Sequence, residues 1–222
     1  MRTLEEKYDA IKEALNKIEL NKIIVLTGDN ASGKSLLRKV LWSTLEQMVN
    51  DGRDPRKYVW ETSMERRTSQ ISALGALSGV FRDNDVTATS ANSIRNIVNL
   101  TECINGERAE RDSNYQLREQ KPFLVFDEPE VGCGEEVQLG MAEYINKNAE
   151  YFRTNALGLL IITHSRHIVK NVNSDLFINM EGHTKEEWLN RELVPKDIIE
   201  LEKENNDFFV FIRDHLQYKH EI

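Results

Sequence analysis

A short apolar run leads directly into a glycine-rich segment in the sequence Ile23-Ile24-Val25-Leu26-Thr27-Gly28-Asp29-Asn30-Ala31-Ser32-Gly33-Lys34-Ser35. The apolar run is continuous and contains β-branched residues, which is typical of a strand that is buried on both faces. Apolar residues then recur at helical spacing, at Leu36, Leu37, Val40, Leu41 and Leu45. The sequence therefore predicts a strand, a tight loop and a helix in succession.

The glycine-rich segment fits the pattern G-x-x-x-x-G-K-S/T at every fixed position of residues 28–35. Glycines let the backbone wrap closely around phosphate groups, so that amide N–H groups and the start of the helix face the anion. The lysine of this pattern reaches the β- and γ-phosphates, and the hydroxyl of the last residue binds Mg²⁺. A chance Gly-Lys-Ser turn is the alternative, and the flanking strand and helix patterns disfavour it. The predicted nucleotide-binding residues are Gly28, Asn30, Ala31, Ser32, Gly33, Lys34, Ser35 and Leu36, with Ser35 also a ligand of Mg²⁺.

Two carboxylates, Asp127 and Glu128, follow a second buried-strand pattern, Phe123-Leu124-Val125-Phe126. Ligands of open α/β sheets bind at the carboxyl ends of the strands, so we expect both side chains beside the glycine-rich loop. Asp127 is predicted to hold Mg²⁺ through water, and Glu128 to orient and deprotonate the attacking water. The alternative is an acidic turn that caps the next helix.

A third buried-strand pattern, Leu159-Leu160-Ile161-Ile162, is followed by Thr163-His164-Ser165. A histidine at such a strand end can donate a hydrogen bond to the γ-phosphate and respond to its loss. His164 lies 36 positions after Glu128, with one helical pattern between them, and this placement favours the active role. A structural histidine is the alternative.

Strand and helix patterns alternate along the chain. Strands are also predicted at Tyr58-Val59-Trp60 and Leu176-Phe177-Ile178, and helices at residues 3–20 and 137–148. The alternation predicts an α/β fold with a mostly parallel P-loop sheet flanked by helices. We expect one domain, with an N-terminal helix at 1–20, a nucleotide-binding core at 21–182 and a helical C-terminal segment at 183–222.

The C-terminal segment contains the capping-box pattern Thr184-Lys185-Glu186-Glu187, which predicts a helix start. Trp188, Leu189 and Leu193 are expected to face inward, and Pro195 to close this part of the chain. Two further helices are predicted, from the apolar residues at 198–201 and at 208–216.

Composition and charge exclude several classes of protein. The 222 residues carry a formal net charge of −8, so contact with nucleic acid would need a local basic patch or a partner chain. The longest apolar stretch, residues 156–162, is far shorter than the roughly 18 residues of a membrane-spanning helix. The first residues lack the apolar core of a signal peptide. Cys103 and Cys133 do not form a Cys-x-x-Cys site, so we expect a cytoplasmic protein with reduced thiols and no membrane insertion.

At the glycine-rich segment, at the strand end with Asp127 and Glu128, and at the strand end with His164, the sequence resembles the ABC-type ATPases. Residues 28–35 are similar to the Walker A motif of that family, residues 123–128 to its Walker B motif, and His164 to its switch histidine. The similarity covers roughly residues 20 to 180. It is strongest to soluble members, which include the overcoming-lysogenisation-defect ATPases and relatives in DNA repair, recombination and phage defence. The resemblance implies a homodimer that sandwiches two ATP molecules with Mg²⁺ and separates on hydrolysis.

The chain departs from the family pattern in the region of the signature motif. It lacks the sequence Leu-Ser-Gly-Gly-Gln, and the best substitute is Ser90-Ala91-Asn92-Ser93 before a helical pattern. Ser90 or Asn92 is expected to cap that helix, whose N-terminus would meet the γ-phosphate bound by the other protomer. An ordinary N-cap is the alternative, and Leu77-Ser78-Gly79 is a competing site. Residues 106–121 are expected to form an insertion, and residues 130–134 replace the usual loop after Walker B.

The resemblance also implies a glutamine that contacts the nucleotide and Mg²⁺. Gln70, 36 positions after Lys34, is the best candidate, and a surface glutamine is the alternative. The same stretch is the most basic part of the chain, with Arg66 and Arg67 near Arg53, Arg56 and Lys57. These side chains are either solvated surface charge or a contact for DNA phosphates or a partner.

Three functions are compatible with these features. The first is a soluble, dimerising Mg-ATPase that acts with a protein partner in DNA metabolism or in phage infection or defence. The second is the ATPase subunit of a membrane transporter, against which we weigh the short region before Gly28 and the ill-formed signature. The third is a regulatory subunit that binds ATP without hydrolysing it, for which the predicted base Glu128 would be unnecessary.

Overall fold

The computed structural model of the chain describes residues 3–29, 34, 37, 41, 45, 59–62, 89–104, 121–195 and 197–217. Its strands are β1 (Ile23–Thr27), β2 (Val59–Thr62), β3 (Phe123–Asp127), β4 (Gly158–Ile162) and β5 (Leu176–Asn179). Its helices include α1 (Leu4–Asn16), α2 (Thr89–Ile104), α3 (Glu135–Lys147), α4 (Ala149–Asn155), α5 (Arg166–Asn171), α6 (Lys185–Asn190) and α7 (Ile198–Gln217). The predicted strands are confirmed, with bounds that differ by one or two residues.

The five strands form one parallel sheet in the order β2-β3-β4-β1-β5. β4 pairs with β1 on one side, where Ile161 lies opposite Val25, and with β3 on the other, where Leu160 lies opposite Val125. Because the strands all run in the same direction, their carboxyl ends meet at one edge of the sheet. The predicted α/β fold is confirmed, and the arrangement is consistent with the fold of P-loop nucleoside triphosphatases.

Alternate residues of each strand pack on opposite faces of the sheet, as the strand period of two requires. On one face, Ile24 and Leu26 of β1 contact a core that includes α1 and the helical residues Leu37, Leu41 and Leu45. On the other face, Ile23 and Val25 contact a core built by α3, α5 and Trp188. Helices therefore cover both faces, which is why the strands are almost uniformly apolar.

The N-terminal helix α1 is shorter than the predicted span of residues 3–20. It begins at a capping box, in which Thr3 Oγ1 accepts from the Glu6 amide at 3.1 Å and Glu6 Oε2 accepts from the Thr3 amide at 2.7 Å. It ends at Asn16, four residues before the predicted end. The helix contacts α7 through an edge-to-face pair of Tyr8 and Phe211, with ring centroids 6.4 Å apart.

The C-terminal segment confirms the predicted capping box and the predicted burial of Trp188, and it corrects two other predictions. The predicted capping box is present, because Thr184 Oγ1 accepts from the Glu187 amide at 3.2 Å. Trp188 is fully buried, but Leu193 is 69% exposed, so the inward orientation predicted for Leu193 is wrong. The reason is that α6 ends at Asn190, so its helical phase does not extend to Leu193.

The two helices predicted after Pro195 form a single helix, α7. The polar residues between the two apolar groups, at 202–207, include neither glycine nor proline. Nothing therefore interrupts the backbone hydrogen bonds between the two apolar groups, and the prediction mistook a change of polarity for a helix end. Among the described helices, none combines the length and the apolar character that a membrane span requires.

We predict that Gly158→Ala lowers the free energy of unfolding by about 1–3 kcal/mol. Gly158 begins β4 with φ +153°, where L side chains are strained, and an added Cβ would lie 2.9 Å from Cε2 of the buried Phe123. The measurement is urea unfolding followed by circular dichroism.

Gly140→Ala is the matched control. Gly140 is exposed in the middle of α3, and no described atom outside its own helix backbone lies within 4 Å of an added Cβ. Alanine is the better helix former, so this variant is expected to gain about 0.5–1 kcal/mol. Equal stability of the two variants would contradict the account of Gly158.

Candidate functional site

The carboxyl edge of the sheet collects the chemically active residues. Gly28 follows β1, Asp127 ends β3 and His164 lies two residues after β4. Since β4 lies between β1 and β3, His164 is positioned between the glycine-rich loop and the two carboxylates. Neighbouring strands are about 4.8 Å apart, so the three strand ends meet within roughly 10 Å.

Lys34 is a buried residue of this edge, with 6% of its surface exposed. Its Nζ donates to the carbonyl oxygen of Gly28 at 3.1 Å and to that of Asp29 at 2.8 Å. Burial lowers the pKa of Lys34 to about 8, and the charges of Glu181, Glu128, Asp29 and Asp127 act in the opposite direction. The ammonium group thus lies within electrostatic range of both predicted carboxylates.

Glu128 adopts a left-handed backbone conformation, with φ +49°. Its amide donates to the carbonyl oxygen of Ile162 at 2.8 Å, which continues the pairing of β3 with β4 by one residue. A non-glycine residue in this region is strained by about 1–3 kcal/mol, and such strain is concentrated at functional sites. The turn leaves the Glu128 carboxyl group near His164, with Oε1 3.5 Å from Nε2.

His164 is a neutral imidazole at pH 7. Burial lowers its pKa to about 4, with a further decrease from the positive charges of Lys34 and Arg191 and an opposing contribution from Asp29. Its side chain is 31% exposed, so part of the ring is accessible to a ligand. A neutral imidazole can donate a hydrogen bond to an anion without adding a full charge to the site.

Glu130 supports His164 from the protein side, and the sequence analysis assigned it no role. Its Oε1 accepts from the His164 amide at 2.8 Å. Its Oε2 is buried without a hydrogen-bond partner among the described residues. Burial raises the pKa of Glu130, hydrogen bonds from backbone amides and from the Thr163 side chain act in the opposite direction, and the charge of Glu128 adds to the rise. In the sequence, the only sign of a role for Glu130 is its position as a third carboxylate, after Asp127 and Glu128, close to the end of a buried strand.

A second link joins the loops after β3 and β4. Ser165 Oγ donates to Gln138 Oε1 at 2.6 Å, and Gln138 Nε2 donates to the carbonyl oxygen of Cys133 at 2.8 Å. Ser165 also caps α5, since its Oγ accepts from the Ile168 amide at 3.1 Å. The predicted base and the predicted phosphate-contacting histidine are therefore carried by loops that are hydrogen-bonded to each other.

A third group contacts the glycine-rich loop from the C-terminal side of the chain. Asp29 Oδ1 accepts from Arg191 Nη1 at 2.8 Å, and the Asp29 amide donates to Glu181 Oε1 at 2.9 Å. Arg191 and Glu181 are 162 and 152 positions from Asp29. The sequence contains no local signal for such contacts.

Of the other predicted site residues, the structure describes Ser90 and Asn92, and the rest lie outside the described residues. Ser90 and Asn92 lie in the first turn of α2, which begins at Thr89. The expectation that one of them is the N-cap is therefore wrong, because the helix starts before both. The predictions for Asn30, Ala31, Ser32, Gly33, Ser35, Leu36 and Gln70 fall outside the described residues, as do Leu77-Ser78-Gly79 and the basic residues at 53–57 and 66–67.

The described part of the chain contains no group of three or more His, Cys, Asp or Glu side chains that could hold a metal ion. Mg²⁺ does not need such a group, because it is usually bound by one or two carboxylates together with substrate phosphates and water. Asp127, half-buried at the end of β3, is a carboxylate of the kind that this donor set uses.

Comparison with known proteins supports a family-level assignment. No protein-family model matches the chain. The zinc import ATP-binding protein ZnuC of Hydrogenovibrio crunogenus is 24% identical over 193 residues, which cover 76% of this chain and 74% of that protein. The protein of the same name from Acinetobacter baylyi is 21% identical over 225 residues, which cover 97% of this chain and 82% of that protein. These weak similarities support the superfamily of ABC-type P-loop ATPases and suggest ATPase activity, but they lend no support to a DNA-repair or phage-associated subtype.

We predict that Glu130→Gln becomes more stable relative to the wild type as the pH rises. The pKa of Glu130 in the folded protein lies above its ordinary value of 4.5, so the folded state binds more protons than the unfolded state. The wild type therefore loses stability as the pH rises from 4.5 through the raised pKa, whereas glutamine does not titrate and can still accept from the His164 amide. Urea unfolding between pH 4.5 and 8 measures the difference.

Glu143→Gln is the control, because Glu143 is a surface carboxylate of α3 whose pKa is lowered by Lys147. A carboxylate with a lowered pKa makes the folded state more stable, not less, as the pH rises. Its replacement is therefore not expected to gain stability relative to the wild type as the pH rises. A difference in stability between Glu130→Gln and the wild type that stays constant or shrinks as the pH rises would contradict the raised pKa of Glu130.

Proposed function

We propose that the chain is an ATPase that binds Mg-ATP at the carboxyl edge of the sheet, hydrolyses it and changes its dimeric state during the cycle. The main support is the convergence of four groups at this edge, namely the Lys34 ammonium, the carboxyl groups of Asp127 and Glu128, and the His164 imidazole. The similarity to ATP-binding proteins supports the same conclusion.

Phosphate binding is assigned to the glycine-rich loop. The backbone amides of Gly28 and residues 30–36 would face the phosphates, and Lys34 would exchange its carbonyl partners for the β- and γ-phosphates. Ser35 and Asp127 would hold Mg²⁺, which neutralises charge on the phosphates when it is bound. The many carboxylates at this edge make such neutralisation necessary, since they would otherwise repel a polyphosphate.

Hydrolysis is assigned to Glu128 and His164. Glu128 would orient the attacking water and accept its proton, and His164 would donate a hydrogen bond to the γ-phosphate. Nε2 of His164 lies 3.5 Å from Oε1 of Glu128. A shift of the phosphate that His164 contacts would therefore also change the surroundings of the Glu128 carboxylate. The hydrogen bond of Glu130 to the His164 amide would keep this spacing.

The dimer contacts are assigned by resemblance. Two chains would enclose two ATP molecules, with the start of α2, carrying Ser90 and Asn92, directed at the γ-phosphate bound by the other protomer. Gln70 would contact the nucleotide and Mg²⁺.

The output of the cycle has two candidates. The departures from the transporter pattern in the signature region favour a role in DNA metabolism or phage biology, carried out with a protein partner. The relatives found by comparison are zinc import ATP-binding proteins, and this observation favours the ATPase subunit of a transporter. Both candidates use the same nucleotide site.

We predict that Glu128→Gln binds ATP with unchanged affinity but hydrolyses it at least about 100-fold more slowly, because glutamine cannot accept the proton. Binding is measured by calorimetry and turnover by phosphate release. Because the bound nucleotide persists, the variant is also expected to remain dimeric with Mg-ATP, which size-exclusion chromatography with light scattering would detect.

Two variants control this experiment. Lys34→Ala is expected to abolish nucleotide binding and hence dimer formation, whereas Glu136→Gln, at an exposed position in the first turn of α3, is expected to behave as the wild type. Full turnover by Glu128→Gln would exclude Glu128 as the base. A variant that binds Mg-ATP but stays monomeric would contradict the sandwich dimer.

The gene neighbourhood distinguishes the two outputs. A nuclease gene or phage replication genes beside the gene of this chain is the result expected for a role in nucleic-acid metabolism, because the chain would need a partner to process DNA. A neighbouring gene for a membrane-spanning permease would instead assign the chain to a transporter. Co-purification of the two gene products on co-expression would test either assignment directly.

A further inference from the structure

Arg191 reaches the nucleotide site from the C-terminal side of the chain. Its Nη1 lies 2.8 Å from Oδ1 of Asp29, the second residue of the glycine-rich loop. The side chains of Arg191 and Asp29 are 26% and 33% exposed. The ion pair therefore lies at the surface of the site, where a ligand can compete for either partner.

Contacts with two helices hold Arg191 in place. Its guanidinium lies over the ring of the fully buried Trp188, with Cζ 4.6 Å from the ring centroid. Its carbonyl oxygen accepts from Nη2 of Arg166, and Arg166 begins α5 two residues after His164. The backbone of Arg191 is thus held from α5 and its side chain from α6, so the side-chain entropy lost on binding a ligand is small.

The charge of Arg191 acts in the same region as Lys34 and His164. Both positive charges lower the pKa of His164, which places the Arg191 guanidinium within electrostatic range of the imidazole. Lys34 donates to the backbone of Gly28 and Asp29, and Arg191 donates to the Asp29 side chain. Lys34 and Arg191 are therefore held by groups of Gly28 and Asp29.

We propose that Arg191 is a further nucleotide-binding residue, which exchanges the Asp29 carboxylate for the γ-phosphate and so favours ATP over ADP. A planar guanidinium binds phosphate with two parallel hydrogen bonds, and a triphosphate carries more negative charge than one carboxylate. Arg191 contacts Arg166, two residues after His164, and His164 marks the end of the site where the γ-phosphate is expected. The inference rests on the proposed function, since it assumes that a nucleotide binds at the glycine-rich loop.

The exchange would also connect the nucleotide to the C-terminal segment. Arg191 follows the last residue of α6 directly, and α7 contacts α1 through Phe211 and through an ion pair of Glu204 with Lys7. Breaking the Asp29 ion pair would release one link between the glycine-rich loop and this segment. The link would differ between the ATP-bound and ADP-bound protein, because ADP has no γ-phosphate.

The test is a comparison of nucleotide affinities by calorimetry with Mg²⁺, using ADP and the non-hydrolysable ATP analogue AMP-PNP. Arg191→Ala is expected to weaken AMP-PNP binding at least about tenfold, the effect of one lost charge-assisted hydrogen bond, and to change ADP binding less than about threefold. Arg153→Ala is the matched control. It removes a bidentate ion pair with Asp175, which precedes β5 at the opposite edge of the sheet, and should leave both affinities unchanged.

Unchanged AMP-PNP binding, or an equal loss for the two nucleotides, would overturn the proposal and make Arg191 a structural partner of Asp29. A wild type that binds neither nucleotide would overturn the proposed function itself, which is a different result. If Arg191→Ala does not fold, Asp29→Asn replaces it, since this variant keeps Arg191 and removes its competing carboxylate. Asp29→Asn is expected to tighten AMP-PNP relative to ADP, and an unchanged or smaller ratio would overturn the proposal.

Discussion

The parallel pairing of β4 with both β1 and β3 is the constraint on which the site depends. It fixes three strand ends side by side, so the glycine-rich loop, the histidine and the carboxylates need only short connections to meet. The amide of Glu128 adds one more hydrogen bond to this pairing, at Ile162, before the chain turns. The strained backbone at Glu128 is tolerated because the ladder on one side and the Glu130 hydrogen bond on the other determine the path of the loop.

Several carboxylates surround the buried Lys34 at this edge of the sheet. The carboxylates of Asp29, Asp127, Glu128 and Glu181 lie close enough to act on Lys34. Lys34 remains largely protonated at neutral pH because these carboxylates oppose the effect of burial. A polyphosphate can bind such a site only if it displaces carboxylate and carbonyl partners from the cations and brings a divalent metal with it. The contacts of Lys34 and Arg191 with residues 28 and 29 are consistent with such an exchange.

The C-terminal segment is part of the same network. α6 buries Trp188 in the core, and the residue that follows α6 is the one that pairs with the glycine-rich loop. Asn179 and Glu181, which end and follow β5, complete the contact, since Glu181 binds the Asp29 amide and Asn179 Oδ1 accepts from the Glu181 amide at 3.0 Å. The segment predicted as an appendage, residues 183–222, thus contributes Arg191 to the edge of the site, and Glu181 lies just before it.

The sequence by itself determined the strands, the parallel α/β class and the order of the chemical groups along the chain, because these follow from local periodicity and from residues fixed in one short pattern. Only the tertiary structure decided the strand order, the left-handed turn at Glu128, the burial of Glu130 and the pairing of Asp29 with Arg191. These features depend on contacts between residues far apart in the chain, and pairing between distant charges leaves no periodic trace in a sequence. The uninterrupted α7 and the exposed Leu193 show the same limit, since polarity alone does not mark where a helix ends and packing decides which apolar residues are covered.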